Sequence, residues 1–256
     1  MTAPADAVVA RLRAAGCVFA EEEAAVLLDA AASGPELEAM IVRRAAGEPL
    51  EGIVGRAEFR GRRVFVAPGV FVPRRRTELL VSAGAELASR GSVVVELCCG
   101  VAAVASAVAA EVPGAEMFAA DIDPAEVAVA RRNLPPDRVF EGDLYDALPA
   151  DLRGRVDLLV ANAPYVPTAE IANMPPEARE HEPLVALDGG ADGLDVQRRV
   201  AAAAPRWLAP GGSLLIETSA RQAPATSELM RSAGLEPRIV HDDDLDATVV
   251  IGSAAV

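Results

Sequence analysis

The chain contains no lysine; all 24 of its basic residues are arginine. With abundant Ala, Val, Gly and Pro, this is the composition of a GC-rich coding sequence, so an arginine here says less about function than elsewhere. Cysteines number three, and two of them, Cys98 and Cys99, are adjacent. That suits neither a disulfide framework nor spaced metal ligands. The only histidines, His181 and His241, stand far apart, so no metal site is expected. The plain reading is a reducing, cytoplasmic setting. No apolar run approaches ~20 residues, which argues against a membrane span. The opening "MTAPADAVVARLRAAGC" is interrupted by Asp6, Arg11 and Arg13 and reads as no signal peptide. Excess positive charge is absent too: the net charge is −14. Such a surface repels phosphate backbones and argues against non-specific nucleic-acid binding.

What is present is core material. Hydrophobic residues make up 52% of the 256 positions, enough for one large domain or one domain with a small appendage. Residues 1–47 read as short helices: "EEEAAVLLDAAAS" and "PELEAMIVRRAAG" have helical apolar spacing punctuated by Gly and Ser. Residues 48–75 read as a connector in which alternation around Gly61 predicts a β-hairpin. From 76 to 256 strand and helix alternate. "SVVVEL", "AEMFAADID", "DRVFEGD", "VDLLVANAPY" and "GSLLIETS" read as strands, with helical segments such as "PAEVAVARRNL" and "LDVQRRVAAAAPRWL" between most of them. "LEPRIVHDDDLDATVVIG" reads as a closing antiparallel pair joined by an acidic turn. Helices between strands favour a parallel sheet covered on both faces. The expectation is an α/β fold with a doubly wound, seven-stranded, mainly parallel sheet. It would carry a small N-terminal helical domain (1–47), the hairpin connector (48–75) and a catalytic domain (76–256).

In such a sheet, ligands bind outside the carboxyl ends of the strands. The first strand ends at Glu96 and turns at Gly100, like a nucleotide-binding loop with a single glycine. The second ends at Asp121 and Asp123. An acid about 20 residues past the loop can hold ribose hydroxyls, or it can cap the helix that starts at Pro124. Asp143, after the third strand, can accept a hydrogen bond from an adenine amino group or serve a turn. "NAPY", Asn162 to Tyr165, follows the fourth strand. It offers a side-chain amide, a carbonyl in a fixed direction and an aromatic wall, a set able to hold a planar NH₂ group. The plainer reading is an ordinary turn. Ser219 lacks a nucleophile elbow, both histidines read as surface or turn residues, and Cys98 and Cys99 read as packing thiols.

Together these stretches resemble the class I S-adenosylmethionine-dependent methyltransferases. Within them, the chain is similar to enzymes that methylate the side-chain amide of glutamine in peptide-chain release factors. The resemblance runs from about Pro49 to Gly252, through "PLEGIVGRAEF", "GVFVPRRRTELLV", "VVVELCCG", "ADIDPAEVAVARRN", "GDLYDAL", "VANAPYVP", "HEPLVALDGGADGLDVQRRV", "LAPGGSLLIET" and "RQA". It implies a Rossmann-like methyltransferase fold with S-adenosylmethionine as cofactor. Glu96, Gly100 and Ala102 would form the loop on the methionine side, Asp121 would bind the ribose hydroxyls and Asp143 would lie near the adenine. Asn162, Ala163 and Tyr165 would hold the acceptor amide, with Asn162 also among the cofactor contacts. Glu182 and Pro183, with Asp188 to Gly190, match the stretch that follows the acceptor motif. Alignment of the acceptor would carry the catalysis, and no metal is needed.

Four departures from the family pattern carry expectations of their own. The family's three loop glycines fall on Cys98, Gly100 and Ala102, and Val101 fills a usually small, polar position. Glycine serves where backbone meets a ligand or takes φ > 0, so either cofactor binding is weakened or lost, or the loop shifts slightly and still binds. Ala163 replaces the first proline of Asn-Pro-Pro-Tyr but keeps the carbonyl, a change that retunes the substrate. Arg74, Arg75 and Arg76 stand at a helix start. With Glu182 they read as a substrate- or anion-binding cluster, or as a solvated one. The helical region before "EPL" is short where the family docks its protein substrate. The functional expectation is an S-adenosylmethionine-dependent N-methyltransferase acting on an amide or amine nitrogen of a protein or a small molecule. The alternative is a fold relative that has lost methyl transfer and performs elimination or cyclisation on a small anionic metabolite, with or without a partner protein chain. A third reading, a non-catalytic subunit supporting a partner chain, predicts that Asn162→Ala is harmless.

Overall fold

The computed structural model describes residues 5–255. Helices α1 (Ala5–Ala14), α2 (Ala20–Ala30), α3 (Gly34–Ala45) and the short α4 (Leu50–Val54) close around a cluster that includes Val8, Leu12, Leu27, Ile41 and Ile53. Ser33 sets the start of α3: its hydroxyl accepts the N–H of Glu36, and Pro35 occupies the first turn. Strands β1 (Arg56–Phe59) and β2 (Arg62–Phe65) form the expected hairpin, turning at Arg60 and Gly61, which both take positive φ. The hairpin's Ala57, Phe59 and Val64 pack with the large sheet, whereas Ile53 just before it packs with the helices.

The rest of the chain builds one sheet. In order come α5 (Glu78–Leu87), β3 (Val93–Leu97), α6 (Ala103–Glu111), β4 (Glu116–Asp121), α7 (Pro124–Asn133), β5 (Val139–Glu141), β6 (Val156–Ala161) and α8 (Pro176–His181). Then follow α9 (Asp195–Ala203), β7 (Leu208–Thr218), α10 (Ala223–Ser232), β8 (Glu236–Asp242) and β9 (Ala247–Ser253). The strands lie in the order β5-β4-β3-β6-β7-β9-β8. The first five are parallel, and β9 inserts antiparallel between β7 and β8. This is the doubly wound α/β fold the sequence predicts.

All five residues of β3 are buried, because both faces of the sheet are covered. Val94 packs on the side of α5, α6 and α7; Val93, Val95 and Leu97 pack on the side of α9, α10 and Trp207. Between β3 and β6 the strand order reverses: the chain leaves β3 toward β4 and β5, then returns on the other side as β6. Such a switch point opens a crevice at the carboxyl ends, here beyond the paired residues Leu97 and Ala161. Among the described residues, no helix is long and apolar enough to cross a membrane.

Candidate active site

The crevice holds a cavity of ≈ 360 Å³. Its floor is the loop after β3. Cys98, Gly100 and Ala102 there have φ of 52°, 52° and 59°. All three positions that match family glycines are left-handed, two of them without glycine, at roughly 1–2 kcal/mol of strain each. The loop is tied down from two sides. Glu96, 3% exposed, accepts the N–H of Ala105 in the first turn of α6 at 2.7 Å. Asp121 Oδ2 accepts the N–H of Gly100 at 2.7 Å. Gly100 and Val101 line the cavity. Ala102 does not: its methyl group is fully buried in the core beneath. Of the three positions, Ala102 is thus the one that contributes to the core rather than to the lining.

The two acids after β4 divide their work. Asp123 caps α7, its Oδ1 accepting the N–H of Ala125 at 2.8 Å. Asp121 Oδ1 accepts the N–H of Asp123 at 2.9 Å, so Asp121 stays at the cavity. Ile122, half exposed, adds an apolar wall. Asp143 also lines the cavity and accepts from Arg199 Nη2 at 2.6 Å.

Asn162, Ala163, Pro164 and Tyr165 line the other end. Asn162 Nδ2 donates to Thr77 Oγ1 at 3.3 Å. The backbone that follows is held by residues 187–193. Val166 N–H donates to Leu187 O at 3.1 Å and Gly189 N–H to Val166 O at 2.9 Å. Gln222 Nε2 donates to the carbonyls of Tyr165 and Asp192 at 3.0 and 3.1 Å. The short region before "EPL" folds as a 3₁₀ turn, Thr168–Asn173, and α8, and then passes over this end, where Met174 and Val185 to Leu187 join the lining.

The arginine cluster is largely neutralised within the fold. Arg74 Nη2 donates to both oxygens of Glu182, at 2.5 and 2.6 Å. Glu182 is buried, also accepts the N–H of Val72, and lies behind Arg74 rather than in the lining. Arg76 Nε lies 3.7 Å from Glu217 Oε1. Arg75 is exposed and outside the lining. Each arginine that lines the cavity (Arg74, Arg76 and Arg199) thus faces a carboxylate, and an anionic ligand would meet little free positive charge.

Acids dominate instead. Burial, with Asp121 nearby, pushes Glu96 up to about 8 against the pull of the Ala105 and Val104 N–H groups. Glu126 in α7 is pushed up to about 8 by burial, against the N–H of Phe71 and helped by Asp121, Asp123 and Glu182. Burial also raises Glu217. Glu126 and Glu217 line the cavity and escaped the sequence reading. The signal was there for Glu217: an acid closing an apolar strand, as in Glu96. Its two oxygens are buried without a hydrogen-bond partner among the described residues, although the hydroxyls of Thr77 and Tyr165 are neighbours. Tyr165 is itself raised to about 12, chiefly by burial. Burial raises Cys98 and Cys99 as well, consistent with packing thiols. Neither histidine is in the lining, and the described residues place no group of three His, Cys, Asp or Glu to hold a metal ion.

The raised carboxyls make a pH prediction. In the unfolded chain a glutamate titrates near 4.5; folded, Glu96 and Glu126 keep their protons until about 8. Their contribution to stability is full below pH 4.5 and is lost as pH rises toward 8, by at most ~1.4 kcal/mol per pH unit for each group. The melting temperature is expected to fall from about pH 5.5 to 7.5 in the wild type. In the double variant Glu96→Gln, Glu126→Gln the slope flattens. Equal slopes for the two proteins would contradict this assignment.

Residues 62–175 match the family model of the methyltransferase small domain. A release factor glutamine methyltransferase of Geobacter sulfurreducens is 39% identical over 188 residues, covering 72% of this chain; the chain spans 65% of that relative's length. The protein of the same name from Cereibacter sphaeroides is 40% identical over 215 residues, covering 82% of this chain and 75% of that one. A Streptomyces pristinaespiralis protein named 4-amino-L-phenylalanine/4-methylamino-L-phenylalanine methyltransferase is 40% identical over 201 residues, covering 75% of this chain and 68% of that one. Among solved structures, a Pyrococcus furiosus methyltransferase has the same fold, with a TM-score of 0.58 at 16% identity over 86% of this chain and 98% of that one. With its seven-stranded sheet and its strand-end residues at one crevice, the chain belongs to the release factor glutamine methyltransferase family of class I methyltransferases.

Proposed function

We propose that this chain moves a methyl group from S-adenosylmethionine to the nitrogen of an NH₂ group conjugated to a π system. The first candidate acceptor is a glutamine side-chain amide of a release factor. The observation that carries the reading is the placement of Asn162 to Tyr165 around the same acidic cavity as Glu96, Gly100 and Asp121. The cofactor is a nucleoside whose amino-acid half carries a sulfonium, an ammonium and a carboxylate, a net cation. An acidic lining whose arginines are already engaged fits such a cation. When bound, it supplies a methyl carbon already activated by the sulfonium.

The work of the chain is then binding and alignment. Backbone N–H groups orient both oxygens of Asp121, and the remaining lone pairs can accept ribose hydroxyls. Ile122 offers the adenine an apolar wall, and Asp143 accepts from its amino group. At the other end the acceptor nitrogen is a weak nucleophile, because its lone pair is delocalised. Asn162 has its own NH₂ tied to Thr77, which leaves Oδ1 to accept one N–H of the acceptor. The carbonyl of Ala163 accepts the other. Held by these two acceptors, Asn162 Oδ1 and the Ala163 carbonyl, the nitrogen would keep its lone pair directed at the methyl carbon that the cofactor supplies; sulfur would leave as a neutral thioether and the nitrogen's proton would pass to solvent. In favourable intramolecular cases, alignment of this kind supplies ~7–11 kcal/mol.

An aromatic amine shares the planar NH₂ and the delocalised lone pair. It stands as a second acceptor because Met174 and Val185 to Leu187 cover the acceptor end and because one relative is named for 4-amino-L-phenylalanine. The test incubates the protein with S-adenosylmethionine and either a purified release factor or 4-amino-L-phenylalanine. It reads S-adenosylhomocysteine formation and the mass of the acceptor. Micromolar binding of S-adenosylhomocysteine and methylation of one acceptor are expected. Absence of binding into the millimolar range would remove methyl transfer by this chain alone.

A further inference from the structure

Glu126 stands in the first turn of α7 with about 1% of its surface exposed. Its Oε1 accepts the N–H of Phe71 at 2.5 Å. Its Oε2 is buried with no hydrogen-bond partner among the described residues. Both Glu126 and Phe71 line the cavity, and Oε2 borders the loop after β3: a Cβ built on Gly100 would lie 3.6 Å from it. A buried carboxyl oxygen without a hydrogen-bond partner costs about 1–3 kcal/mol, and native structures rarely retain one without a reason. The charged groups nearest to it, Asp121, Asp123 and Glu182, are acids, and Arg74 is held by Glu182. In the fold by itself this carboxyl keeps its proton up to about 8; a donor carrying positive charge at Oε2 would displace that proton and pair with the carboxylate.

On the reading above, adenosine lies along Asp121 and Asp143 and the acceptor nitrogen at Asn162. The stretch bordered by Gly100, Phe71 and Glu126 is left for the amino-acid half of the cofactor. A sulfonium has no N–H or O–H to offer; the α-ammonium has three donors. We propose that Glu126 binds the α-ammonium group of the S-adenosyl cofactor, an inference that rests on the cofactor reading of the cavity. It also supplies a hold on the ligand from outside the loop, where two of the three left-handed positions lack glycine.

The test compares two ligands by calorimetry. S-adenosylhomocysteine has the ammonium and no sulfonium; 5′-methylthioadenosine keeps the nucleoside and sulfur but lacks the amino-acid half. Glu126→Gln is nearly isosteric and retains an acceptor for the Phe71 N–H. It is expected to weaken S-adenosylhomocysteine by about 10- to 100-fold, the range of a charge-assisted hydrogen bond, and to leave 5′-methylthioadenosine within about threefold. Unchanged S-adenosylhomocysteine affinity overturns the proposal. So does an equal loss of both ligands, which would mark Glu126 as structural only. A wild-type protein that binds 5′-methylthioadenosine as tightly as S-adenosylhomocysteine overturns it while sparing the nucleoside reading. A wild-type protein that binds neither overturns the cofactor reading itself, and this inference with it.

Discussion

Replacing Asn162 with alanine is expected to lower the rate of methyl transfer by about 10²- to 10³-fold, the scale of losing one preorganised polar group or of misplacing a reacting atom by about 1 Å. S-adenosylhomocysteine affinity should change by less than about fivefold, under ~1 kcal/mol. The difference follows from where the residue sits. Asn162 leaves the end of β6, whose last residue Ala161 is paired to Leu97 on one side and Ile216 on the other. Its amide is fixed by Thr77 at the start of α5. It therefore offers a rigid carbonyl to a nitrogen whose lone pair must be aimed. Asp121 and the loop around Gly100 are held by other bonds and survive the change. The measurement is kcat from S-adenosylhomocysteine formation, beside a calorimetric Kd. A variant that works within threefold of wild type would show that Asn162 does not hold the acceptor nitrogen.

Replacing Gly193 with alanine should lower the melting temperature by about 6–12 °C, the equivalent of ~3 kcal/mol in a chain of this size, and reduce methyl transfer with it. Gly193 has φ of 78°, and a Cβ there would overlap the carbonyl oxygen of Tyr165 and the amide nitrogen of Gln222. Those two atoms hydrogen-bond each other and hold the turn at Tyr165 against residues 188–193. Glycine is used here for close approach of backbone to backbone as well as for its dihedral angle. Either Tyr165 moves outward, loosening the wall beside Asn162, or the 188–193 segment detaches. Gly16 also has positive φ, but a Cβ there meets nothing within 4 Å. Its alanine variant carries the dihedral strain without the overlap and is the control. Equal effects at the two positions would show that the packing against Tyr165 matters little.

Several features of the site were legible in the residues. Apolar runs ended by acids marked β3 and β4, and "NAPY" marked one end of the cavity lining. The hairpin at Gly61 and the closing strands followed from alternation and turn residues. The same logic applied once more to "LLIET" would have found Glu217. Glu126 was harder. In "PAEVAVARRN" it occupies the first helical turn, where an acid is ordinary helix chemistry, and nothing local says that this turn faces a cavity.

Periodicity, caps and turns are short-range physics of the backbone, and from them strands alternating with helices, a mainly parallel sheet and sites at the strand ends were legible; the strand order that opens the crevice between β3 and β6 came with the fold. The tertiary structure decided which groups meet inside that crevice. It gave the helix cap to Asp123 and the loop tie to Asp121, with both acids in the cavity lining. It turned the methyl of Ala102 into the core. It brought Glu182 to Arg74 across 108 residues and Asp143 to Arg199 across 56. Charge pairing and burial depend on distances set by the packed chain rather than by sequence spacing. A cluster read as an anion-binding or a solvated one is, once folded, largely paired with carboxylates.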